Sequence, residues 1–304
     1  MPAANDERNV LTGGFGQERL VDVVVVGGTA SDAVRGSVPG AELPSQKRAV
    51  VSDGIELARE PHHPLTSGIR FFLNPVGNQA RGCRMPSILN DPKLEALLAG
   101  LHAKSQAQEA ETSHYFRTRT GPWNGMEARD HAHFADKLVA LDRDKSEFCY
   151  TLCRAIRARR IVEVGTSFGV STLYLAAAVR DNGGGTVIGA EYESAKVKAA
   201  RANFAAAGLS EFIDLYEGDV LQAFKTIEGP IDFVLFDIWG DVVRPTLELL
   251  LPLLRPGSVV CADNTAESKE GYVPFFQVIN DPANDFRTMT LPFKGGFEMS
   301  VKCR

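Results

Sequence analysis

Val162-Glu-Val-Gly-Thr-Ser-Phe-Gly-Val-Ser171 is the stretch from which the fold is read. A short β-branched strand ends at Glu163 and Val164, the chain turns through Gly165 and Gly169, and an apolar helix pattern follows. Glycines at such a turn let the backbone run close beneath a ligand, where a side chain would collide. The spacing is acidic-x-Gly-x-x-x-Gly, not the G-x-G-x-x-G of a dinucleotide loop. Working outward, apolar runs at residues 161–164, 186–190, 212–216, 233–236 and 258–262 read as strands. Helical patterns at 171–179, 194–207, 220–227 and 245–254 separate them. This alternation predicts βαβ units, hence a parallel sheet with helices on both faces. Two further runs, 287–291 and 297–301, are joined by residues 292–296 and predict an antiparallel hairpin at the sheet edge.

The chemistry of the strand tips narrows the ligand. A pyrophosphate seeks bare backbone N–H groups at a helix N-terminus. A methionine moiety carries a cationic ammonium instead, and a carboxylate at the strand end favours it. Glu163 therefore suits S-adenosylmethionine better than NAD. The second strand ends in Gly189-Ala-Glu191, where a carboxylate 28 residues after Glu163 can accept both ribose hydroxyls. The third runs into Glu217-Gly218-Asp219, at the expected adenine edge. The expected cofactor contacts are Glu163, Gly165, Ser167, Gly169, Ser171, Glu191, Asp219 and Asp237. The fourth strand ends at Phe236-Asp237 and the fifth at Cys261-Ala-Asp263-Asn264. Ligands of doubly wound sheets bind outside the carboxyl ends of the strands, so these side chains converge there. Two carboxylates and an amide oxygen form a hard donor set suited to Mg²⁺, so Asp237, Asp263 and Asn264 are the expected metal ligands. Asp237 is also the expected catalytic group.

Glu163-Val-Gly-Thr-Ser-Phe-Gly-Val-Ser-Thr-Leu173, Gly189-Ala-Glu191, Gly218-Asp219 and Arg255-Pro-Gly257 together resemble the class I S-adenosylmethionine-dependent methyltransferases. More narrowly, residues 130–304 resemble the small O-methyltransferases of the catechol O-methyltransferase group. The resemblance implies a Rossmann-like, seven-stranded, mostly parallel sheet with an antiparallel last strand. It also implies metal ligands at Asp237, Asp263 and Asn264, and methyl transfer to a hydroxyl of a small, aromatic acceptor. One departure stands out: those enzymes place a lysine base three residues after the first metal-binding aspartate, and here that position is Gly240. Lys294, His131 and His133 are candidate substitutes that also read as surface residues. Trp239 is expected to wall the pocket, while Tyr272, Phe275 and Phe276 have the helical spacing of core residues. The competing readings are a metal-independent O- or N-methyltransferase and a non-catalytic cofactor-binding subunit.

The remaining chain sets the context. Residues 1–84, rich in Gly, Pro, Arg and Ser, carry a strand signal at 21–26. They read as a poorly ordered extension, or as sequence upstream of a native start at Met85. Residues 85–158 read as a helical lead-in or cap, with helices from Asp91, at 134–143 and at 145–158; residues 159–304 form the cofactor-binding domain. The helical lead-in is also an expected homodimer surface. Across 304 residues the formal net charge is −5, which gives no basis for a nucleic-acid or anionic-membrane partner. No apolar run approaches the roughly 18 residues that span a bilayer. Five cysteines without zinc-type spacing point to a reducing, cytoplasmic setting, and the resemblance implies a small-molecule partner.

Overall fold

In the computed structural model the chain divides into two compact units, residues 1–83 and 84–304. The structure describes residues 48–51, 55–58, 87–120, 126–238 and 240–304. In the first unit, β1 (Arg48–Val51) and β2 (Ile55–Ala58) pair antiparallel, a hairpin not anticipated from the sequence. The strand expected at 21–26 lies outside the described residues.

The second unit opens with α1 (Pro92–Thr118), a 27-residue helix capped by Asp91, whose side chain accepts from the Leu94 N–H at 3.1 Å. Helices α2 (Ala128–Phe134) and α3 (Arg143–Ala155) follow. A helix was expected over 134–143, but α2 stops at Phe134 and the chain continues without helix to Asp142. The reason is side-chain capture by α1. Gln108 accepts from the Leu138 N–H at 2.8 Å and Ser105 from the Ala140 N–H at 3.3 Å. Backbone donors satisfied this way need no helical partner, and Leu138 and Leu141 are buried without one.

Then the βα alternation begins: β3 (Arg160–Val164), α4 (Val170–Asp181), β4 (Thr186–Glu191), α5 (Ser194–Ala207), β5 (Ile213–Glu217), α6 (Val220–Ala223), β6 (Ile231–Phe236), α7 (Val243–Leu250), β7 (Leu254–Asp263), α8 (Lys269–Ile279), β8 (Phe286–Leu291) and β9 (Phe297–Lys302). Two expected helices are shorter than read, because a 3-10 turn closes α6 and another, around Pro252, closes α7. The sheet order is β5-β4-β3-β6-β7-β9-β8. All pairings are parallel except those of β9, which runs antiparallel between β7 and β8. The sheet is therefore seven-stranded and doubly wound, with strand order reversing beside β3. Among the described residues no helix is long and apolar enough to cross a membrane.

Period-two alternation divides the core. Ile161, Phe233, Leu235 and Cys261 pack beneath α3 and α4, while Val162, Val164, Val234 and Phe236 pack against the other face with α7 and α8. Tyr272 and Phe275 are buried in that second layer, as their spacing anticipates. At the sheet end remote from the strand tips, Asp232 joins three strands. It accepts from the N–H groups of Arg159 at 2.8 Å and Arg160 at 3.0 Å, and from the Arg255 guanidinium. Burial alone would raise this carboxyl's pKa, yet these donors hold it below the usual range. Asp232→Ala should cost about 2 kcal/mol, since two partly buried N–H groups and a guanidinium lose their acceptor. Urea denaturation measures that loss, and ligand affinity at the opposite end of the sheet should stay unchanged.

Candidate active site

The tips of β3 and β6 meet so closely that only glycine fits between them. Gly165 has φ +98°, and a Cβ on it would stand 2.3 Å from the Asp237 carbonyl oxygen. The Asp237 N–H donates to the Val164 carbonyl at 3.0 Å, which extends the strand pairing into the turn. Ser167 follows with φ +50°, an uncommon state for a residue with a side chain. That turn aims its N–H at Glu191 Oε2, 2.7 Å away. The other Glu191 oxygen accepts from the Glu193 N–H at 2.8 Å. Glu191 is thus fixed by two backbone donors, and each oxygen keeps a further lone pair for a ligand.

A cavity of 420 Å³ opens over these tips. Gly165, Ser167, Glu191, Asp219, Asp237, Asp263 and Asn264 line it. Met126, His131 and Phe134, from α2 and the residues before it, border it too. Asp219 is exposed and caps α6, accepting from the Leu221 N–H at 2.7 Å. Gly169 and Ser171 do not line the cavity. Gly169 is glycine because α5 crowds it: a Cβ would lie 2.3 Å from the Phe204 ring.

Glu163 also stands behind the cavity wall. Alternation along β3 turns it to the α4 face, where it is fully buried and Oε2 accepts the hydroxyls of Thr166 and Thr172. Its Oε1 has no partner. Burial pushes this carboxyl up to about 7, against the hydroxyl donors Thr172, Ser171 and Thr166. A carboxylate with a free oxygen just below the turn attracts a cation seated at the turn.

The acidic end is built from neighbouring strand tips. Asp263 is almost fully buried, and its Oδ1 lies 2.7 Å from Lys145 Nζ in the first turn of α3. Lys145 is itself buried and also meets Asp142 at 3.1 Å. Asn264 sits at φ +57° and donates its amide to Asp263 Oδ2 at 3.0 Å. Burial raises the Asp237 pKa well above normal, and Asp263 and Glu163 add to that; Lys145 opposes it. The loop between β8 and β9 supports this corner, with the Gly295 carbonyl accepting from the N–H groups of Ala266 and Glu267 at 2.9 Å each. Among the described residues no three His, Cys, Asp or Glu side chains gather as a metal-binding group.

The candidate substitutes for the missing lysine fall in different places. Lys294 is exposed and pairs with Glu109 of α1 at 3.0 Å. His133 stacks on Tyr115 with centroids 3.8 Å apart, while His131 borders the cavity and meets Glu193 at 3.3 Å. Trp239 lies outside the described residues. The buried lysine at the acidic end is Lys145, which the sequence reading missed. An isolated lysine in a helix's first turn carries no pattern that separates it from a solvated surface charge.

Residues 162–265 match the family model of a methyltransferase domain. This segment, about a third of the chain, is similar to a methyltransferase domain. Over 127 residues the chain is 31% identical to a catechol O-methyltransferase of Mycobacterium tuberculosis, covering 41% of this chain and 57% of that protein. Over 154 residues it is 29% identical to caffeoyl-CoA O-methyltransferase 2 of Zea mays, covering 49% of this chain and 53% of that protein. The chain spans just over half the length of these curated relatives. Among solved structures, an O-methyltransferase from Bacillus cereus in complex with SAH superposes with a TM-score of 0.53 at 22% identity, covering 72% of this chain and 93% of that one. The O-methyltransferase TomG from Streptomyces achromogenes, in complex with SAM, gives 0.52 at 22% identity, covering 66% and 99%. These likenesses establish the fold of the methyltransferase domain as Rossmann-like.

Gly165→Ala should force the β3 and β6 tips apart, since both the positive φ and the 2.3 Å contact oppose a side chain. A loss of about 2 kcal/mol or more is expected. Thermal unfolding reads it, and an unshifted midpoint would show that the tips are free to separate.

Proposed function

We propose that this protein is an S-adenosylmethionine-dependent O-methyltransferase acting on a hydroxyl of a small aromatic molecule, with help from a divalent cation. The observation that carries the reading is the arrangement of carboxylates around the cavity. Glu191, held by two backbone donors, lines it together with Asp237 and Asp263 from neighbouring strand tips. The matches to catechol and caffeoyl-CoA O-methyltransferases support the reaction class.

S-adenosylmethionine, when bound, supplies an electrophilic methyl group on a sulfonium that leaves as a neutral thioether. The chain's own residues would hold it. Glu191 accepts the ribose hydroxyls, Asp219 and its neighbours meet the base edge, and Gly165 and Ser167 let the backbone pass close beneath it. Glu163, assisted by Thr166, Ser171 and Thr172, would favour the ammonium at the turn. Displacement at the methyl carbon needs the acceptor oxygen in line and close to contact distance, so positioning supplies much of the rate.

The acidic end fits a divalent cation in one respect that distance decides. The terminal amide atom of Asn264 is 3.0 Å from Asp263 Oδ2. A half-turn of that amide puts an oxygen there, and about 3 Å is the separation of neighbouring oxygens around Mg²⁺ with bonds of about 2.1 Å. Asp263 Oδ2, Asn264 and Asp237 would hold the ion, which lowers an acceptor hydroxyl's pKa and orients it. Gly240 leaves no side chain to take the proton at the lysine position. The metal-independent reading keeps the same residues as walls of the pocket. Incubation with labelled cofactor and hydroxylated aromatics, with and without EDTA, separates the two: turnover should vanish with the chelator and return with Mg²⁺.

The partner is a small acceptor, and the thiols of Cys149, Cys153 and Cys261 are free and buried, in keeping with a cytoplasmic setting. A homodimer built on the helices of residues 85–158 is part of the same reading, and sedimentation measures it.

Glu191→Ala should weaken binding of S-adenosylhomocysteine by about tenfold or more, read by calorimetry, because two ribose hydrogen bonds are lost. The Glu163 carboxyl sets the pH dependence. With its pKa pushed up to about 7 it is largely protonated below that pH, and a bound ammonium favours the ionised form. Binding should therefore release a proton below pH 7 and tighten as pH rises toward 7, then level off. Calorimetry in buffers of different ionisation enthalpy counts the proton, and Glu163→Gln should abolish the release.

A further inference from the structure

Lys196 is a charged group set against three physical preferences at once. It is only 9% exposed, and burial disfavours an ammonium. It lies in the first turn of α5, where the helix dipole disfavours a cation. Its ammonium also has no hydrogen-bond or ion-pair partner among the described residues. Burial lowers its pKa, and Glu191, Glu193 and Asp136 oppose that through their charges alone. The side chain faces the cavity instead, which it lines together with Glu191, Tyr192 and Glu193. Nothing in the reaction proposed above uses it.

The surrounding charge selects the kind of ligand atom it can meet. Three carboxylates bear on this one ammonium, and His131, 3.3 Å from Glu193, is the other basic group beside them. An anion entering here would meet three acidic groups. A neutral oxygen with free lone pairs meets no such repulsion. The ribose of S-adenosylmethionine presents two such oxygens. Each hydroxyl has one hydrogen to give and two lone pairs to fill. Glu191 suits the hydrogens, since each of its oxygens holds one backbone N–H and keeps a further lone pair. The hydroxyl oxygens then need a donor, which an ionised carboxylate cannot be. Lys196 follows Glu191 by five residues and lines the same cavity. Of the neighbouring side chains, Tyr192 is largely exposed and His131 is engaged by Glu193.

We infer that Lys196 is a cofactor-binding residue whose ammonium donates to a ribose hydroxyl oxygen of S-adenosylmethionine while Glu191 accepts the hydroxyl hydrogens, so that the diol is gripped from both sides. This rests on the cofactor reading given above. It accounts for a group that weakens the empty fold, because its favourable contact forms only with the ligand in place.

The test compares the full-length wild type with Lys196→Met, which keeps the length of the side chain and removes the donor. Calorimetry measures binding of S-adenosylhomocysteine, of its 2′-deoxy and 3′-deoxy forms, and of 5′-methylthioadenosine, which keeps the ribose and lacks the amino-acid carboxylate. Lys196→Met should bind S-adenosylhomocysteine about tenfold more weakly than wild type. The same loss should appear with 5′-methylthioadenosine and shrink to about twofold or less with one of the deoxy forms. The ligand-free variant should unfold at the temperature of wild type or above it, the reverse of what a scaffolding lysine predicts. Equal affinity of variant and wild type for S-adenosylhomocysteine overturns the inference. So does a loss that persists with both deoxy forms, or one that disappears with 5′-methylthioadenosine and so puts the ammonium on the amino-acid portion. Lys196→Leu repeats the test if Lys196→Met does not fold, and failure of both to fold marks a lysine the scaffold needs and rejects the inference. A wild type that binds no S-adenosylhomocysteine defeats the cofactor reading itself, so the two failures are distinct.

Discussion

The contact on which the site depends is the meeting of β3 and β6 at Gly165 and Asp237. The turn after β3 passes against the backbone after β6 with no space for a methyl group. Because strand order reverses beside β3, the loops on its two sides depart in opposite directions and leave a crevice at this point. The contact fixes the depth of the crevice floor. It also sets the position of Ser167, whose N–H orients Glu191, and of Asp237, which faces the acidic corner. One steric constraint therefore positions Glu191 and the acidic corner together.

Electrostatics around that floor are set by a shortage of water. Asp263 and Glu163 lie close enough to raise the Asp237 pKa, and burial raises all three. Lys145 is held in its charged form because Asp263 and Asp142 outweigh its own burial. An empty site of this kind is costly to keep ionised, and a ligand bearing positive charge relieves it. Clusters of displaced pKa values are more typical of binding and reaction sites than of scaffolding.

Much of this was legible in the sequence because it follows from periodicity. The apolar runs placed five of the seven strands of the main sheet to within a residue at either end, while β6 starts two residues before its run, at Ile231, and β7 four before its run, at Leu254. The turn residues placed the first crevice loop, since glycine and acidic spacing are local signals. What stayed hidden depends on partners far away in the chain. The helix read at 134–143 fails because Gln108 and Ser105 of α1 take its backbone donors. Gly169 looks like a ligand-facing glycine until α5 brings Phe204 against it. Lys145 becomes an interior cation only when Asp263 arrives beside it. Glu163 lies between these cases: its place at a strand end was readable, and its turn toward α4 follows from the two-residue alternation of the strand.

The placement of β9 between β7 and β8 has a consequence for assembly. Among the described residues β8 pairs only with β9, so its place at the sheet edge depends on the pairing of β9 with β7. The same pairing brings the Gly295 carbonyl to the N–H groups of Ala266 and Glu267. Closure of the sheet edge and completion of the corner around Asn264 are then a single cooperative event. A molecule with an undocked hairpin would keep the Glu191 side of its crevice and lose the support of the corner around Asn264.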